Sequence, residues 1–131
     1  MTAVIALLIA TLIPLLFLYI VRKQDLYGTG AFSDILASFI WGLIAYLIAA
    51  QINPAMMNMG LISHDTLVRF SAPILEEILK GIILVYFIRK ASFTYFVDGA
   101  IFGFAAGIGF AIIENFEYVL GNLETAIIQA I

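Results

Sequence analysis

The chain contains no cysteine, which removes disulfides and thiolate chemistry from consideration. Histidine occurs once, at His64, and a lone loop histidine beside Asp65 reads as a solvated side chain rather than a ligand or catalyst. Charge is scarce: 11% of the 131 residues are Asp, Glu, Lys or Arg, against about 25% in an ordinary soluble domain. The net charge of −3 is mild and spread along the chain, so there is no electrostatic footprint for nucleic acid. Low-complexity tracts and clear internal repeats are absent too. What is abundant is hydrocarbon. Hydrophobic residues make up 64% of the chain and the mean hydropathy is +1.13. No small soluble fold hides that much apolar surface, because burial is limited by the ratio of surface to volume. The composition is that of an integral membrane protein.

Four hydrophobic runs separate cleanly: about Thr2–Val21, Ala31–Ile52, Ala72–Ile88 and Phe96–Leu120. Each is near the length of about 20 residues that a helix needs to cross a bilayer. Strands are excluded, since backbone groups in lipid must be paired within the segment and the runs are too long and unalternating for a barrel. The expected fold is all-α: a polytopic membrane helix bundle of about four transmembrane helices, forming a single membrane domain over residues 1–131. The N-terminus lacks a basic region and a cleavage site, so the first run reads as a retained span. "ETAIIQAI" at the end reads as the start of a further span. Arg22/Lys23 and Arg89/Lys90 close the first and third runs, fall on one side if the spans alternate, and by the positive-inside rule lie in the cytoplasm. The loop "NPAMMNMGLISHDTLVR" then lies outside.

Against this background, "PILEEILK" stands out. Glu76, Glu77 and Lys80 share one helical face, and Lys80 follows Glu76 by the four residues that permit an ion pair. Charges in a span are costly; some snorkel or fix packing, and others mark function. Two adjacent carboxylates are the equipment of a general base or a proton carrier. In the fourth run Gly99, Gly103 and Gly107 recur every four residues, a small-residue stripe for close helix packing within one chain or between two copies. Glu114 returns to the same face, and Asn115 adds an amide at its level. With spans alternating, Glu114 meets Glu76 and Glu77 near the outer ends of their helices. Asp98, about 24 Å away along the helix, reads as a helix N-terminal charge favoured by the dipole, as does Asp34. Glu117 lies near the water, where snorkelling accounts for it, and Trp41, Tyr46 and Tyr118 read as core or interfacial aromatics.

These residues resemble the PrsW family of intramembrane proteases, related to the CAAX-processing and bacteriocin-processing membrane proteases. The paired glutamate and lysine match Glu76, Glu77 and Lys80, and a glycine-rich span ending in Glu-Asn matches "DGAIFGFAAGIGFAIIEN". "YIVRKQDLY" after a proline-containing first span is similar to the family's first loop. The resemblance implies hydrolysis of peptide bonds in membrane-anchored proteins such as anti-sigma factors, at a cell membrane. In that reading Glu76 or Glu77 activates water, Glu114 and Asn115 orient it or polarise the carbonyl, and Lys80 and Asp98 support them. A divalent metal is left unassigned, because carboxylates alone are a poor zinc set. The family also carries a histidine after a segment resembling "TAIIQAI", so this chain reads as the N-terminal part of such a domain. Two other classes stay open: an ion or proton carrier using the same carboxylates, and a non-catalytic scaffold or regulator. The apolar stretch Ile101–Ile113 argues against a continuous proton path.

Overall fold

A computed structural model describes residues 2–23, 31–90, 93 and 95–130, with side chains for all but 2, 3 and 123–130. The described chain is helical, in the order α1 (Thr2–Lys23), α2 (Phe32–Asn58), α3 (His64–Thr66), a π turn (Leu67–Ser71), α4 (Ala72–Phe87) and α5 (Phe96–Ala130). No strand occurs among the described residues. The loop "KQDLYGTG" lies outside them apart from Lys23.

Three segments, Val4–Lys23, Phe32–Asn58 and Phe96–Asn122, are long and apolar enough to cross a membrane. The protein is thus a multi-pass helical membrane protein. The third hydrophobic run differs from expectation. Its helix α4 has 16 residues, about 24 Å at 1.5 Å per residue, short of the roughly 30 Å hydrocarbon core. Helical backbone does reach it without a break from His64 through the π turn. The expected outer loop is therefore mostly helix: α2 runs on through Asn58 with Pro54 inside it. Only residues 59–63 are non-helical there, and they turn at Gly60, whose φ of 67° suits a residue without Cβ. The closing stretch also differs. Instead of starting a new span, residues 124–130 continue α5, since neither Gly121 nor Asn122 interrupts the backbone ladder as a proline would.

α5 forms the centre of the bundle. In its apolar window 44% of residues are buried, against 6% for α1. Ile101, Phe102, Ala105 and Ile108 of α5 pack with Leu18, Ile35 and Phe87 from the other three long elements. α2 and α5 approach most closely where side chains are missing. A Cβ on Gly42 would lie 2.0 Å from the Ala106 carbonyl oxygen, and one on Gly109 would lie 2.1 Å from that of Phe39. The regular glycine stripe has another setting: Gly99 faces the Phe93 ring, Gly103 faces Leu84 at 3.4 Å, and Gly107 has nothing within 4 Å.

Polar ties fix the remaining helices. The Trp41 indole N–H donates to the Leu79 carbonyl at 2.8 Å, joining α2 to α4. At the other end of α4, Lys90 pairs with the buried Asp34 at 3.2 Å. Arg22 lies 4.6 Å over the Phe32 ring. Lys90 and Arg22 both meet the start of α2, so the two basic pairs occupy one end of the bundle, as the charge pattern predicts.

Candidate active site

The carboxylates lie toward the opposite end. α2 and α5 run in the same direction from the basic end, and α4 runs back alongside both. Where the three meet, a cavity of about 560 Å³ opens, within the range of about 300–1,000 Å³ usual for ligand sites. α2 contributes Tyr46, Ala49, Ala50 and Asn53; α5 contributes Glu114, Glu117, Tyr118 and Gly121; α4 contributes Glu76. On both long helices these positions are spaced i, i+3, i+4, i+7, the signature of a single helical face.

Of the expected site residues, Glu76 and Glu114 share this cavity, whereas Glu77, Lys80 and Asn115 are not among its lining. Glu77 is 75% exposed and takes the ion pair with Lys80 at 2.9 Å, so the pairing is i,i+3 rather than from Glu76. Lys80 also lies 4.2 Å over the Phe110 ring, which holds the ammonium on α5's apolar flank. Glu76 is thereby left to the cavity. Asn115 is exposed. Asp98 is 1% exposed and accepts the Tyr95 N–H at 2.8 Å, closing the first turn of α5 as a helix-start acid does.

Three cavity residues carry more than the sequence suggested. The Tyr46 hydroxyl donates to the Glu117 carboxylate, and the Tyr46 ring packs edge-on against Phe110 at 5.1 Å. Glu117 is thus held across the cavity mouth by α2. Asn53 also lines the cavity, and its side-chain oxygen has no protein hydrogen-bond partner among the described residues, which leaves it an acceptor for a cavity ligand. One residue on, Pro54 has no N–H, so the Ala50 carbonyl lacks its regular helical donor. Tyr46, Asn53 and Glu117 were legible only as a pattern across two helices, polar groups recurring at helical spacing that each look unremarkable singly. The cavity therefore combines three carboxylates, two amides and two phenols in an otherwise apolar bundle. Such a set of side chains can accept hydrogen bonds and take up or release protons.

Metal-holding capacity follows from the donor set. Among the described residues no group of three or more His, Cys, Asp or Glu is arranged to hold a metal ion. His64 sits in α3, 70% exposed at the side chain and 4.0 Å from Asp65, on the loop side of the π turn.

Comparison with known proteins agrees with this architecture. The profile of a family described as PrsW family intramembrane metalloprotease matches residues 31–129, a span that includes every cavity residue. The chain is 29% identical over 111 residues to a protein named Protease PrsW from Geobacillus kaustophilus, covering 82% of this chain and 49% of that one. The Halalkalibacterium halodurans protein of the same name is 28% identical over 126 residues, covering 94% and 58%. That of Clostridioides difficile is 26% identical over 129 residues, covering 94% and 54%. The chain spans about half the length of these curated relatives. No solved structure gives a significant match. With three-quarters of the chain inside one family profile, the chain belongs to the PrsW family of intramembrane proteases.

Proposed function

We propose that this chain carries the carboxylate side of a peptidase site acting on membrane-anchored proteins, with Glu76 and Glu114 as its reacting groups. The observation that supports this most is their placement: two carboxylates from antiparallel helices face one cavity, in a chain of a protease family. Glu76 takes a proton from water as the water oxygen attacks the peptide carbonyl carbon. Glu114 passes the proton taken up by Glu76 on to the departing amide nitrogen as the C–N bond breaks. Glu77, tied to Lys80, stays outside the reaction.

The family's description includes a metal ion, and the donors described do not compose a centre for one. They are oxygen atoms only, whereas zinc sites draw on histidine or cysteine, and no cluster of three metal-ligating side chains is assembled. Substrates such as anti-sigma factors fit the class, as single-span proteins able to bring a peptide bond to the cavity from within the bilayer.

Reconstitution of the protein in liposomes with a candidate single-span substrate tests this reading. Glu76→Gln and Glu114→Gln are each expected to lower cleavage by about 10²–10⁴-fold, the usual contribution of a general acid or base. Cleavage unchanged in both variants would overturn it.

A further inference from the structure

The basic end of the bundle carries two adjoining hollows that the carboxylate cavity does not use. One, about 530 Å³, is lined by Ile82, Val85, Tyr86, Arg89 and Lys90. The other, about 500 Å³, lies between α4 and the start of α5 against Leu84, Val85, Ile88, Phe93 and Phe96. Val85 is the wall they share. Ile82, Val85, Tyr86 and Arg89 follow the i, i+3, i+4, i+7 spacing, so one stripe of α4 is apolar below and cationic at its end. Val85 and Arg89 are about 6 Å apart along the axis.

The two cations there differ. Lys90 is committed to Asp34 at 3.2 Å and lies over the Tyr86 and Phe87 rings at 5.2 and 4.9 Å. Arg89 is exposed and makes no ion pair among the described residues. Of the described acids at this end, Asp34 pairs with Lys90 and Asp98 accepts from the backbone of Tyr95. Four of the chain's six basic residues, Arg22, Lys23, Arg89 and Lys90, gather here. A guanidinium with no ion pair among the described residues, above an apolar trough, complements an amphiphile with an anionic head and alkyl chains, and a guanidinium binds phosphate oxygens in bidentate fashion. Basic pockets between membrane helices are sites of that kind.

We infer that this trough binds an anionic diacyl phospholipid, its phosphate on Arg89 and its chains along Val85 on either side of α4. One chain follows Ile82 and Tyr86, and the other enters the hollow bounded by Phe93 and Phe96. The site is independent of the carboxylate cavity and of its chemistry.

Native mass spectrometry of the 131-residue chain in mild detergent tests it, with equimolar phosphatidylglycerol and phosphatidylcholine of identical acyl chains. Phosphatidylglycerol is expected to be retained about tenfold more. Arg89→Gln should abolish the preference, and Arg22→Gln, which removes the same charge from a residue stacked on Phe32, should keep it. Diacylglycerol of the same chains, lacking the phosphate, should not be retained by the unaltered protein, a measurement that needs no variant. Equal retention of the two phospholipids would overturn the inference. So would an Arg22→Gln loss as large as that of Arg89→Gln, since diffuse attraction to the basic end would then suffice.

Discussion

At the scale of single residues, neighbours in sequence part company in space. Glu76 and Glu77 are adjacent, yet Glu76 lines the cavity while Glu77 is 75% exposed and pairs with Lys80. Glu77→Gln should therefore keep cleavage within about threefold, since an exposed ion pair contributes only about 0–1 kcal/mol. A loss as large as that from Glu76→Gln, in the same liposome assay, would show that Glu77 enters the chemistry. Asn53 yields the opposite kind of prediction. Its side-chain oxygen has no protein hydrogen-bond partner among the described residues, so Asn53→Leu should leave thermal stability unchanged or raised. If the amide serves a substrate peptide, the same variant should raise KM. Unfolding in detergent followed by intrinsic fluorescence reads the first effect, and cleavage kinetics read the second. A clear loss of stability would mean that Asn53 holds the helices together.

Elements show where sequence reading succeeds and where it stops. Apolar runs located the long helices because each span must satisfy its own backbone in lipid, and the phases of Glu76 and Glu114 were readable because 3.6-residue periodicity is rigid. Helix ends were less legible. Pro54 suggests a break, yet α2 continues past it to Asn58, because a proline removes a single ladder hydrogen bond and the residues on either side keep theirs. Close packing was hardest to read, since glycine spacing on one helix does not say which face its neighbour takes. Gly109 and Gly107 are two residues apart and face different surroundings. Gly109→Ala would force a Cβ to 2.1 Å from the Phe39 carbonyl oxygen. Its helix-propensity gain of about 1 kcal/mol is outweighed by an overpacking cost of about 1–3 kcal/mol or more, because the obstacle is backbone. Gly107→Ala meets nothing within 4 Å and should stabilise by about 0.5–1 kcal/mol. The two variants should move the detergent melting temperature in opposite directions. A shared direction would contradict the α2–α5 contact.

For the whole molecule, the governing asymmetry is charge. Arg22, Lys23, Arg89 and Lys90 lie at one end and the carboxylate cavity toward the other, so membrane orientation decides which compartment the cavity opens near. Basic residues flanking spans resist translocation, and the short connection at 59–63 carries none. The basic end should therefore face the cytoplasm and residues 59–63 the outside. The absence of cysteine makes this directly measurable, because a single introduced thiol is the only one in the chain. Met59→Cys, at a side chain 74% exposed, should react with a membrane-impermeant maleimide in intact cells. Lys23→Cys, at the last residue of α1, should react only after the membrane is opened. The reverse pattern would place Glu76 and Glu114 toward the cytoplasm, and with them the face from which a substrate must arrive. Labelling of both positions in intact cells would instead mean a mixed orientation. The roughly 24 Å of α5 between Asp98 and Glu114 makes the distinction consequential: the carboxylates sit near one surface, and only a substrate bond at that depth can reach them.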